Sequence, residues 1–443
     1  MAPVQPSSLA SLNLVGARSQ VVGALGGLTV SPEGTWLSTS NPYLVGGSKR
    51  VVDDFKAGSV AYNEVTEYVA ASAFLHCADA WSYVGRAVDA LLKGDPHAAV
   101  HLAYYAELRA AKSLLAAEGV LVGNGFSFAL DANATLTTVS REPTHRAAWE
   151  LIDEWFKQAG AVATVARIVA PGGQALRAWI GAIPGGVNAV MQDMLSGLAF
   201  DLCSFAEDRE RRNLASYEPT TLRAPTLGVD TIRCTLSGLW AELEPMTGGD
   251  FPGIDRAILA NVLFRQYSAQ NLSPDEDDPS MERVDWDGWE DWIDALTPAS
   301  LNPSALRDVL RSDPSGPAFQ AILGDSFADT SEMNDAADFI RPMISRATVL
   351  TRIATGLCLG VLDDAGRGVG DLSAWTAAFA VSRGHVGAAP LAEPATDLFT
   401  DLDLPREALE SSQAANLNAL VTELAEGVGL LGQVDRVVAW SFA

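Results

Sequence analysis

The chain has 443 residues with a formal net charge of −25, yet 48% of its residues are hydrophobic. High apolar content excludes disorder, and the excess of acid over base excludes a general nucleic-acid coat, which needs dense Lys and Arg to neutralise phosphates. At ~100–200 residues per domain, the length allows two or three domains with cores of their own.

The first fifty residues are rich in Gly, Ser, Pro and Val, with Gly26-Gly27 and Gly46-Gly47 as breaks, so residues 1–59 are expected to be irregular with short strands. From Tyr62 to Leu92 apolar residues recur at helical spacing (Val65, Val69, Phe74, Trp81, Val84, Val88), and Lys93-Gly94-Asp95-Pro96 closes this helix and opens another over 97–118. The period then changes. Val120-Leu121-Val122, the Gly123-Asn124-Gly125 turn, Phe126 to Leu130 and Thr135 to Val139 read as a β-meander. Helices are expected over 144–156, 162–169 and 187–211, and Tyr217 to Pro225 reads as a linker.

Beyond 220 the text is almost wholly helical: 229–243, 254–267, 286–296, 304–310, 335–362, 372–382 and 406–440, with loops at 273–280 and 384–394. The expected fold is mainly α, with one helical domain over 60–220 that carries the meander at 120–139, and an acidic helical domain over 221–443. The charge follows that division: residues 1–220 carry −5 and residues 221–443 carry −20.

Cys77, Cys203, Cys234 and Cys358 are far apart in apolar helical text, which suits buried thiols in a reducing compartment rather than disulfides or a zinc knuckle. Met1-Ala-Pro-Val opens without the basic and apolar regions of a secretory leader, and the most apolar stretch, 343–362, carries Arg346 and Arg352, each costly in a bilayer. The expectation is a cytoplasmic protein without a membrane span, those two arginines being paired with acids at a helix interface.

Gly46-Gly47-Ser48-Lys49 lacks the frame of a phosphate loop, Gly366-Arg-Gly-Val-Gly370 lacks the dinucleotide spacing, and no nucleophile elbow is present. No cofactor is implied. His97 and His101 share a helix face, but without a neighbouring third ligand they read as packing or surface groups, and no metal site is expected. Ten acids between Asp275 and Asp294 stand against Arg283 alone. The tract lacks the ligand order of a calcium loop. With Trp286, Trp289, Ile293 and Leu296 at helical spacing behind it, it reads as a solvated acidic face. Asp275, Glu276, Asp277, Asp278, Asp285, Asp287, Glu290 and Asp291 are its candidate contacts for a basic partner.

One constellation in the first half carries more. The helix His101-Leu-Ala-Tyr104-Tyr105-Ala-Glu107-Leu-Arg109-Ala-Ala-Lys-Ser-Leu-Leu115 is followed by a helix containing His145 and then by Asp208-Arg209-Glu210-Arg211-Arg212-Asn213. This order resembles HEPN-like helical domains of bacterial toxin and anti-phage defence systems, over roughly residues 60–220. The resemblance implies a metal-independent ribonuclease site: an Arg, a polar neighbour such as Asn, and a His four to six residues after the Arg. Arg212-Asn213 matches the first part, and Tyr217 stands in the place of the His. A phenol of pKa ~10 is a poorer proton-transfer group at neutral pH than an imidazole near ~6.5.

Three functions follow. The first is a non-catalytic interaction or sensor subunit of a defence assembly, bound to its other protein subunits and contacting RNA or a nucleotide near Arg209, Arg211 and Arg212. The second is a HEPN-type ribonuclease using Arg212, Asn213 and Tyr217, with a second copy of the chain completing the site. The third is an acidic protein that blocks a basic surface.

Overall fold

The computed structural model describes residues 14–31, 33–181, 209–213, 228–245, 251–274, 282–284, 288–296, 336–386 and 398–442. It is mainly helical. The elements in chain order are α1 (Leu14–Gly27), α2 (Gly47–Ala57), α3 (Tyr62–Leu92), α4 (Pro96–Ala117), β1 (Val120–Leu121), β2 (Ser127–Leu130), β3 (Leu136–Ser140), α5 (Thr144–Phe156), α6 (Ala159–Ile168) and α7 (Leu176–Ile180). Residues 209–213 are helical as well. Then come α8 (Val229–Glu242), α9 (Pro252–Gln270), β4 (Leu272–Pro274), β5 (Glu282–Val284), α10 (Trp289–Leu296), α11 (Ala336–Asp364), α12 (Ser373–Ser382), α13 (Asp403–Ser411), α14 (Leu417–Leu424), α15 (Val428–Leu431) and α16 (Arg436–Ser441).

The long α3–α4 hairpin is the frame. Gly94 takes the left-handed φ of 71° that ends α3, and Asp95 then caps α4 by accepting from the Ala98 amide at 2.9 Å, with Pro96 in the first turn. Small residues let the pair pack closely: Ala103, Ala106, Ala110 and Ala111 of α4 and Ala70, Ala73, Ala80 and Ala87 of α3 are all fully buried. Against both helices lies α11, from the far half of the sequence. Its threonines turn inward, and Thr355 Oγ1 accepts from the Trp81 indole at 3.0 Å and lies 3.2 Å from Cys77 Sγ.

The boundary expected at 220 therefore does not divide the core, because α11 completes the packing of α3 and α4 and one apolar cluster runs from Leu14 to Phe442. The same helix meets the length and hydropathy of a membrane span, and 89% of that window is buried inside the protein. Arg346 and Arg352 on it pair with Glu107 at 3.5 Å and Asp255 at 2.7 Å, as the sequence suggested. The Arg352 guanidinium also donates to the Ile168 carbonyl at 3.1 Å and sits 4.8 Å from the Phe251 ring centre.

The β-meander forms as expected, antiparallel in the order β1-β2-β3, with Val120 opposite Ala129 and Leu130 opposite Leu136. Several expectations fail. Residues 1–59 hold α1 and α2 rather than short strands among the described residues, because Leu14, Ala17, Val21 and Leu25 recur at helical spacing and bury against α3 and α11. Packing there outweighs the cost of Gly16, Gly23 and the β-branched valines. Arg18 on α1 reaches Glu118 at 3.0 Å and Asp364 at 2.8 Å, tying the start of the chain to both halves.

The single helix expected over 406–440 is instead α13 to α16. Asn416 starts α14 by accepting from the Ala419 amide at 3.0 Å, and Gly427, Gly429 and Gly432 weaken the helix that would follow. The segment read as a polar loop after α9 begins a hairpin, with Leu272 opposite Val284. Cys234 is exposed rather than buried, whereas Cys77 and Cys358 are buried and free. The helix expected over 304–310 lies outside the described residues.

Candidate anion-binding site

One face of α4 carries His101, Tyr105, Leu108 and Lys112, spaced four, three and four residues apart, with Tyr104 and Arg109 beside them. Two neighbours complete the site: α5, which brings His145 and Trp149, and the segment 209–213, which brings Arg209 and Arg212. The Arg212 guanidinium lies 5.3 Å from the centre of the Tyr104 ring and 5.8 Å from that of Tyr105, and the residue is only 8% exposed. A guanidinium is weakly hydrated and stacks well on aromatic faces, so burial there costs less than it would for an ammonium. Its Nε has no hydrogen-bond partner among the described residues.

The two imidazoles flank this cation. His145 Nδ1 lies 2.9 Å from the Tyr104 hydroxyl and its ring stacks on that tyrosine at 5.6 Å. The His101 ring sits 4.9 Å from that of Tyr105. Burial, with Arg212 next, holds His101 below the usual histidine range; burial, then Arg212, Arg209 and Lys112, does the same to His145. Burial also pushes the Tyr104 phenol up to about 12. Tyr104 is therefore a hydroxyl at neutral pH, able to donate to His145 Nδ1 or to accept from it according to the imidazole tautomer.

Further along the same face the positive charge continues. Burial, with Arg109 next, brings the Lys112 ammonium down to about 8. His76, on α3, is held well below the histidine range by burial and then by Lys112 and Arg109. The Arg109 guanidinium donates to His76 Nδ1 at 2.9 Å, a contact that only the neutral ring can accept. Arg109 also meets Asp79 at 3.2 Å; among the described residues no carboxylate lies within ion-pair distance of Lys112. In a chain of net charge −25 this face is locally cationic: after burial, the larger cause, Arg109 and Lys112 lower His76, and Arg212 lowers His101 and His145.

The sequence-chosen residues fare unevenly. Arg212 is in the cluster, but buried on tyrosines. Asn213 is half-buried in the helical stretch 209–213, and Tyr217 lies outside the described residues. Arg209 acts on both His145 and Tyr104 through its charge, and Arg211 lies on the same segment. The imidazole that the sequence lacks after Arg212 is present in space twice, from α4 and α5. Arg141, the other arginine near His145 in sequence, instead covers the Phe126 ring at 5.3 Å.

Of the acidic tract, Glu290 and Asp291 are exposed on α10, behind which Trp289 and Trp292 stack at 5.6 Å and pack edge-on to Tyr267. Asp275, Glu276, Asp277, Asp278, Asp285 and Asp287 lie outside the described residues. Among the described residues no three His, Cys, Asp or Glu side chains converge as a metal set. Comparison of the chain with protein-family models, with curated proteins and with solved structures found no match.

Proposed function

We propose that this protein works by binding, as a non-catalytic interaction or sensor subunit, and that the α4 face takes an anionic group, the phosphate of an RNA or nucleotide. The burial of Arg212 carries this reading. At 8% exposure and over two tyrosine rings, the guanidinium supplies a fixed positive potential from beneath the surface and is not free to clamp a scissile phosphate. The groups offered to a ligand are the half-exposed His101, His145 and Arg209, with Lys112 beside them. The acidic second half supports the companion idea of docking on basic subunits, through exposed carboxylates such as Glu290 and Asp291. A place in an anti-phage assembly rests on the HEPN-like resemblance of residues 60–220 alone.

A ribonuclease is the second reading, favoured by the two neutral imidazoles beside an arginine, the set from which an acid–base pair for metal-free RNA cleavage is built. Incubation with single-stranded RNA in the presence of a chelator separates the two. Salt-dependent retention of intact RNA, weakened by Lys112→Gln, is the expected result. Cleavage abolished by His101→Ala or His145→Ala would replace the binding reading with the catalytic one, and neither retention nor cleavage would remove both.

A further inference from the structure

A separate cleft of about 270 Å³ opens between α3, the turn after α12 and the segment that links α15 to α16. Its polar lining is Ser82, Arg86 and Asp89 of α3, Arg383 and His385 after α12, and Gln433 and Asp435. The C-terminal segment is seated on α3 through glycines: a Cβ on Gly85 would fall 2.8 Å from the Gly432 carbonyl oxygen. No side chain intervenes there, so the cleft wall is set by backbone.

The acceptors in this cleft are already occupied. Asp435 receives the Ser82 hydroxyl at 3.2 Å, with His385 Nε2 at 3.2 Å and Arg383 Nε at 3.7 Å. Asp89, also in the lining, is held by Lys93. The donors are not. Arg86 is exposed, rests 5.4 Å from the Tyr83 ring and makes no hydrogen bond to another described residue. Arg383 touches Asp435 only at ion-pair range and covers Phe379 at 5.3 Å. Gln433 gives its carbonyl to Arg436 at 2.9 Å, and its amide N–H groups meet no acceptor among the described residues. The His385 side chain is 1% exposed, lines the cleft, and has no well-aligned hydrogen bond at either ring nitrogen. A buried imidazole with an unsatisfied nitrogen costs stability unless something fills the site.

We propose that this cleft binds a small oxyanion, the phosphate or carboxylate group of a metabolite, through Arg86 and Arg383 with His385 and Gln433 as further donors. Two guanidiniums present paired donors that match the oxygens of either group. Pockets for drug-sized molecules run ~300–1,000 Å³, so this one suits a single anionic group with few atoms attached.

Thermal unfolding in rising inorganic phosphate or rising succinate, at ionic strength held constant with sodium chloride, tests the assignment. A saturable rise in Tm is expected with phosphate if the ligand is phosphorylated and with succinate if it is a carboxylate. The rise is expected to vanish in Arg86→Gln/Arg383→Gln and to persist in Lys112→Gln, which separates this cleft from the α4 face. Titration calorimetry on Arg86→Gln alone guards against misfolding, because Arg86 is exposed and hydrogen-bonds to no other described residue; a weakening of roughly tenfold is expected from one lost charge-assisted contact. No saturable shift with either anion, a shift retained by the double variant, or a shift lost in Lys112→Gln would each overturn the proposal.

Discussion

The buried cations of α11 and those of the α4 face are built on opposite terms. Arg352 is seated against Asp255 at 2.7 Å and Arg346 against Glu107 at 3.5 Å, each carboxylate on a different helix, so charge and partner leave water together. Arg212 rests on tyrosine rings instead, and Lys112 has no ion-pair partner among the described residues. A paired buried arginine holds helices together. A buried cation left without a carboxylate keeps its field for something else, and in a protein this acidic that field is a local exception.

The contrast can be broken at either end. Replacing Arg352 by Ala removes the partner of a buried carboxylate and should cost about 3–5 kcal/mol, read as a large drop in the midpoint of denaturant unfolding. An unchanged midpoint would show that the pair is not structural. Replacing Arg212 by Ala forfeits a desolvated cation–π contact of about 2 kcal/mol, a smaller loss measured in the same way. A loss as large as that of Arg352→Ala would mean that Arg212 is as structural as the α11 pair. Lys112→Gln should weaken RNA binding roughly tenfold, about 1.4 kcal/mol, while leaving the unfolding midpoint unchanged or raised, since it removes a partly buried charge that Asp79 offsets only in part. A clear fall in stability would show that Lys112 has a structural partner.

The Lys112 ammonium also sets a pH dependence. Its folded value of about 8 lies below the ordinary lysine value of 10.5, so between these limits the unfolded chain holds the proton and the folded chain does not. Its contribution to stability therefore increases as pH rises through that window, while anion binding falls as pH passes about 8. Binding that stays flat from pH 7 to 9 would remove Lys112 from the site. At the small end, Glu290→Gln with Asp291→Asn on the exposed face of α10 should change stability by less than ~0.5 kcal/mol. A larger change would place those acids in the fold rather than on a docking surface.

Much of this architecture was legible in the chain. The α3–α4 hairpin announced itself through apolar spacing and the Gly94-Asp95-Pro96 punctuation, the meander through a change of period, and the α11 arginines through charge inside apolar text. What escaped depended on distance in sequence. The α1 stripe was masked by glycines and valines, and only its packing on α3 and α11 makes it a helix. The C-terminal segment bends where Gly432 meets Gly85, a contact some 350 residues apart in the chain.

The candidate site was half visible. Arg212 and Asn213 stood out by order, but the search for a histidine followed the chain to Tyr217. His101 and His145 come to Arg212 from other helices, which spacing along one segment cannot show. The order of the chain places His101 and His145 on the helices before Arg212, and the step from His101 to Tyr105 starts a face that continues to Lys112.

The most direct measurement is the titration of His101 and His145 by NMR, in the free protein and with a short single-stranded RNA. Both imidazoles should titrate below the ordinary histidine value when free, and their pKa values should rise when the RNA phosphates offset the charge of Arg212 and its neighbours. Values that start at the ordinary range, or that do not move when RNA is added, would contradict an anion-binding face on α4.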